Sequence, residues 1–76
     1  MHELVEYLAK GRVDKPDEVR VERVERDGAV VLELHVAADD VGKVIGRQGR
    51  TARALRTIVR ASGARSNERA LLEIVG

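Results

Sequence analysis

Apolar residues recur along this chain with two different periods. From Glu3 to about Lys10, Leu4, Tyr7 and Leu8 return at helical spacing, and Gly11 is placed to close the helix they imply. So short a helix does not stand alone in water and must dock on something. Arg12 to Asp17, with Asp14-Lys15-Pro16-Asp17 at its centre, reads as a loop. The period then falls to two. Val19 and Val21 alternate with charged residues as a half-exposed strand, and Val24, out of step, is read as a bulge. Asp27-Gly28 is a tight-turn signal, and behind it Val30, Leu32, Leu34 and Val36 alternate with Val31, Glu33 and His35. These two strands are expected to form an antiparallel hairpin.

Asp39 or Asp40 stands where a cap is needed for a short helix whose Val41, Val44 and Ile45 face inward. The longest helix runs from Arg50 to about Ala61, with Ala52, Leu55, Ile58 and Val59 on one side. Arg53, Arg56 and Arg60 fall roughly opposite, and Arg50 lies close to the same stripe. Ser62-Gly63-Ala64 is expected to end it, before Ala70, Leu72 and Ile74 alternate in a last strand from Arg69 to Val75. The predicted order is α-β-β-α-α-β, an α+β fold with three helices packed on one face of a three-stranded sheet. No internal repeat is visible, and residues 1–76 are expected to form one domain around one core.

Between the last two helices the apolar run breaks at Val44-Ile45-Gly46-Arg47-Gln48-Gly49-Arg50. Gly46 and Gly49 let the main chain take left-handed or crowded conformations with no Cβ between its amides and a ligand. Arg47 and Gln48 occupy the tip, one cationic and one able to donate and accept hydrogen bonds. The following helix begins here, so its electropositive N-terminus adds to the charges of Arg47 and Arg50. An anion is the expected ligand. Gly42, Gly46 and Gly49 also spell the glycine spacing of a nucleotide-cofactor loop, but such loops follow a strand directly within a larger parallel sheet. A ligand-free corner between helices is the remaining alternative.

Charge sharpens this picture. The formal net charge of +1 conceals a division: residues 1–40 carry six Lys or Arg against eleven Asp or Glu, net −5, and residues 41–76 carry eight against two, net +6. A polyanion partner needs local positive potential, which the second half supplies. Eleven of the fourteen cations are Arg, suited to bidentate phosphate contacts. With 43% hydrophobic and 36% charged residues the composition is globular, and the absence of Cys removes disulfides and thiolate metal sites. No apolar run approaches the roughly 20 residues that span a bilayer, and the first residues carry acids where a signal peptide needs a cationic start. A cytoplasmic protein with no membrane association is expected.

A β-α-α-β core whose helices are joined by G-x-x-G resembles the K-homology (KH) RNA-binding family, and Gly42-Lys43-Val44-Ile45-Gly46-Arg47-Gln48-Gly49-Arg50 is similar to its central motif nearly residue for residue. The extra helix and strand in front resemble the type II arrangement. Glu3 to Lys10, Pro16-Asp17-Glu18-Val19 and Glu73-Ile74-Val75 extend the similarity to small stand-alone bacterial members, over nearly the whole chain. The resemblance implies a shallow groove for about four single-stranded nucleotides, gripped by the glycine loop and bounded by the sheet edge. It implies contacts from Lys43, Ile45, Gly46, Arg47, Gln48, Gly49, Arg50 and Arg53. Val41, Val44 and Ile45 are divided between core and aliphatic floor, and the stripe of Arg53, Arg56 and Arg60 between RNA contact and a merely solvated face. The resemblance also implies a post-transcriptional regulator or RNA chaperone, self-pairing, and pairing with a larger KH protein of the Jag type.

Tyr7 is the only aromatic residue, and packing is its expected role. Without aromatic platforms the stacking gain of about 1–3 kcal/mol per base is missing, so weak binding with modest base preference follows. His2 and His35 have no partners at metal-ligand spacing, Asp39-Asp40 suits capping better than acid-base work, and no Cys nucleophile exists. No enzyme, cofactor or metal is expected. Two readings stay open, a single-stranded RNA-binding module and a protein-interaction module with little RNA binding. Single-stranded DNA stays open as a ligand.

Overall fold

In the computed structural model, which describes residues 2–76, Asp27 and Gly28 both adopt left-handed backbone, with φ of 51° and 77°. A two-residue turn of this hand matches the twist of the strands it joins. Those strands, β1 (Arg20–Arg26) and β2 (Ala29–His35), pair antiparallel from Arg20 opposite His35 to Arg26 opposite Ala29. In front of them stand α1 (His2–Lys10) and a 3-10 turn at Pro16–Glu18. Behind them come α2 (Val41–Ile45), α3 (Arg50–Arg65) and β3 (Ala70–Val75). β3 pairs parallel with β2, giving a mixed sheet of order β1-β2-β3. A parallel neighbour requires a crossover, and α2 and α3 provide it. The order α-β-β-α-α-β and the α+β class agree with expectation.

One face of this sheet carries the core. Val30, Leu32 and Leu34 of β2 and Ala70 and Leu72 of β3 pack against Val5 and Ala9 of α1, Val44 of α2, and Leu55 and Val59 of α3. All three helices therefore lie on one face, as their apolar stripes require. No helix among the described residues is long and apolar enough to cross a membrane.

Three local expectations fail. α1 buries Val5 and Ala9 completely, whereas Leu4 is 47% and Tyr7 75% exposed. Leu8 alone of the expected trio packs against the core. Positions 4, 7, 8 and 5, 8, 9 both satisfy helical spacing, and α1 meets the sheet through the set with the smaller side chains. Val24 forms no bulge, because the register runs unbroken through Val24 opposite Val31. It falls out of step because it faces the other side of the sheet, in one row with Val31 and Leu71. Finally, α3 does not stop at Ser62-Gly63-Ala64 but continues to Arg65. A Cβ on Gly63 would lie 2.6 Å from the Ala70 Cβ and 2.9 Å from the Glu68 carbonyl oxygen, so this glycine makes room for the chain returning into β3. The chain turns away just past Arg65, where Asn67, with φ of 57°, lets the amide of Glu68 reach back to the Gly63 carbonyl at 2.8 Å.

Candidate nucleic-acid interface

α2 is only five residues long and breaks at Gly46, where φ 78° and ψ 173° fall in a region that essentially only glycine visits. Gln48 and Gly49 follow at φ 56° and 73°, so three of the four turn residues have positive φ. The turn consumes its own amides at Gly46, bonded to the Gly42 carbonyl, at Gly49, bonded to Gly46, and at Arg50, bonded to Arg47. Donors left for a ligand are the amides of Arg47 and Gln48, at the tip, where both side chains are exposed. The left-handed Gln48 was not foreseen; a polar residue between two glycines carries no signal for it.

The two glycines serve different purposes. A Cβ on Gly49 would meet nothing within 4 Å, so its outer side is open to an approaching molecule. On Gly46 the same atom would lie 2.5 Å from Thr51 Oγ1 and 3.1 Å from the Thr51 amide nitrogen. Gly46 therefore gives room to the first turn of α3 rather than to a ligand. Thr51 as its neighbour is a contact the sequence did not announce.

Lys43 already has counter-ions within the chain. Its ammonium pairs with the Asp14 carboxylate and lies 3.5 Å from Asp40 Oδ1, so its charge is already matched within the chain. Asp40 stands at the N-terminus of α2 but makes no capping hydrogen bond there. Its carboxylate is 1% exposed and accepts the amides of Asp14 at 3.2 Å and Lys15 at 3.0 Å, tying the loop after α1 to the start of α2. The capping expected of Asp39 or Asp40 is thus replaced by a long-range bracket, and the backbone 3-10 turn at Ala38–Asp40 serves the helix start. Burial alone would push the Asp40 carboxyl up, but the two amides and the Lys43 charge outweigh it and hold the group below its ordinary value. The hydrogen bond to Asp14 raises the Lys43 ammonium above its own, and the nearby charges of Asp14 and Asp40 add to that against burial. The Asp40-x-x-Lys43 spacing was legible in the sequence; the arrival of Asp14 was not.

Elsewhere the cations separate into two sets. Lys10, Lys15, Arg20, Arg23, Arg26 and Lys43 each lie within 4.0 Å of a carboxylate. Among the described residues no ion pair involves Arg12, Arg65, Arg69 or the group Arg47, Arg50, Arg53, Arg56 and Arg60, and it is this last group that runs from the turn along the exposed side of α3. Arg53 reaches back to the Gln48 carbonyl at 3.4 Å. Arg56 and Arg60 line a shallow cavity of about 340 Å³ with Arg26, Val31, Leu71 and Glu73, between α3 and the open edge of β3. Of the three aliphatic side chains on α2, Val44 is fully buried and Val41 packs against the core, so Ile45, 38% exposed, alone is free to meet a base.

The sheet also gathers Glu22, Glu33 and His35 on its open face, with possible ligand atoms all within 4.8 Å of one another, a grouping invisible in the spacing of the histidines. Both carboxylates are occupied: Arg20 lies 3.0 Å from Glu22 and Arg26 2.8 Å from Glu33, with His35 3.3 Å from Glu33. This is an ion-pair lattice across strands.

Two helices joined by a G-x-x-G turn, inside a mixed sheet whose extra helix and strand come first, define a type II K-homology domain. The family model of the KhpA/KhpB KH domain matches residues 2–74, and the chain belongs to that family, a family of binding proteins and not of enzymes. It is 48% identical over 75 residues to the RNA-binding protein KhpA of Clostridium acetobutylicum, covering 99% of this chain and 100% of that protein. It is 51% identical over 73 residues to the KhpA of Treponema pallidum, covering 96% and 91%. The KhpA of Aquifex aeolicus is 49% identical over 75 residues, covering 99% and 95%.

Proposed function

We propose that this chain binds single-stranded RNA, with the Gly46–Gly49 turn gripping sugar-phosphate and the arginines of α3 continuing the contact. The observation that carries the proposal is that arginines without ion-pair partners among the described residues surround a turn whose tip amides, those of Arg47 and Gln48, are left without a backbone acceptor. Phosphate would take the amides of Arg47 and Gln48 and the side chains of Arg47 and Arg50, at the electropositive start of α3. Arg53 would lie alongside, and Ile45 would meet the face of a base. The groove between α3 and β3 gives the strand a path past Arg56 and Arg60, with the aliphatic wall of Leu71 at its edge. The RNA-binding names of relatives at about half identity over nearly full length support this reading. On it, the chain is a cytoplasmic module acting as a post-transcriptional regulator or RNA chaperone.

Arg47→Asp combined with Gln48→Asp tests the clamp in a gel-shift assay. Asp tolerates the left-handed backbone of position 48, so the thermal melt should stay nearly unchanged while the RNA shift disappears. A double variant that binds as well as the parent removes the turn from the mechanism. A second role in pairing, with another copy or with a larger Jag-type KH protein, is favoured by the exposed Leu4 and Tyr7 on the outer side of α1. The same double variant separates the two, because pairing through α1 would survive it.

A further inference from the structure

Lys43 has two counter-ions of unlike character. Asp40 is 1% exposed and fixed by two backbone amides, whereas the Asp14 side chain is 74% exposed and holds only Lys43. The position of Asp14 does not depend on its own carboxylate, because Asp40 anchors its backbone amide. Lys43 stands three residues before Gly46, about 5 Å along the helix axis from the turn, and its side chain is 45% exposed. We propose that Asp14 is an internal stand-in for phosphate: RNA entering the turn displaces the Asp14 carboxylate from Lys43, while buried Asp40 keeps the ammonium charged and aimed. This deepens the RNA-binding reading and rests on it.

The exchange has consequences that a freely solvated lysine would not show. Lys43 adds little net affinity, since one anion replaces another, and it contributes no counterion release to the salt dependence. Removing the Asp14 charge should free it. An exposed ion pair is a weak competitor, so the gain is bounded at about two- to five-fold in affinity at low salt. The logarithmic salt slope should also steepen by about 0.7, the share of one added single-strand phosphate contact.

The test is fluorescence anisotropy with a labelled single-stranded oligoribonucleotide of mixed sequence, across a salt series, for the parent, Asp14→Asn, Lys43→Met and the double variant. Asp14→Asn should bind tighter with the steeper slope, and that gain should vanish in the Lys43→Met background. In the parent, the carbon resonance of the Asp14 carboxylate should move on RNA addition, and that of Asp40 should not. If the parent binds and Asp14→Asn binds equally or more weakly, the exchange is wrong and Asp14 is purely structural. A gain that persists in full without Lys43 also overturns it, in favour of general charge repulsion. If no variant binds, parent included, the RNA-binding reading itself falls and the exchange falls with it.

Discussion

Gly46 and Gly49 bracket one turn, yet they should tolerate substitution unequally. Gly49, at φ 73° and ψ 16° with open space around its missing Cβ, is limited by conformation alone. Gly49→Ala should cost about 1–2 kcal/mol of stability, and Gly49→Asn less, since Asn visits that region. Gly46 combines a backbone that other residues avoid with a collision against Thr51. Gly46→Ala should cost about 2–4 kcal/mol, measured by urea denaturation, and Asn should not relieve it. Asp40 makes a different prediction. Its carboxyl sits below the ordinary value of 3.8, so the stability it supplies is present above that value and is lost as pH falls through the folded one. Thermal melts should be flat near neutrality and fall steeply from about pH 4 downward. Asp40→Asn should melt lower at neutral pH and show a shallower acid loss; an unchanged acid limb would mean that other carboxylates govern it.

At the scale of elements, the longest helix is shaped by what it must pass. Period alone places Ala52, Leu55, Ile58 and Val59 on one side; Ala52, Leu55 and Val59 are buried, and Ile58 is only half-buried. Its end is set by packing, because Gly63 sits inside the helix where only a hydrogen fits beneath Ala70 and Glu68. Ala has the better helix propensity by about 1 kcal/mol, so propensity alone favours Gly63→Ala. The 2.6 Å approach reverses the sign. Gly63→Ala should destabilise by about 1–3 kcal/mol in denaturant, and a stabilised variant would show that the β3 return yields easily. The same competition decides α1, where two helical registers were equally regular and the sheet accepted the one offering Val5 and Ala9.

Across the whole molecule, the charge division of the sequence becomes a division between paired and unpaired cations. Acids of the first half are spent on the sheet and on Lys43, and Arg47, Arg50, Arg53, Arg56 and Arg60 have no ion-pair partner among the described residues. A face of this kind should bind RNA mainly through phosphate. With three or four phosphates neutralised, the logarithmic salt slope on single strands should be about −2 to −3, with little change among base compositions. The lone aromatic side chain, Tyr7, lies on the exposed side of α1 and not on the turn or α3, which leaves affinity there without stacking. Titrations between low and physiological salt would measure the slope; a value near zero would point to apolar contacts as the main source of binding.

The sequence by itself determined the element order, the hairpin turn, the core-facing residues of β2, β3 and α3, and the Gly46–Gly49 turn with its arginines. Each is a local signal, written in period, in turn chemistry or in a motif within one stretch of chain. Tertiary structure alone decided which side of α1 is buried, why Gly63 is a glycine, and that Asp14 arrives beside Lys43. Those outcomes depend on residues 25 or more positions apart, or on how closely two elements approach, and neither period nor composition records a distance through space.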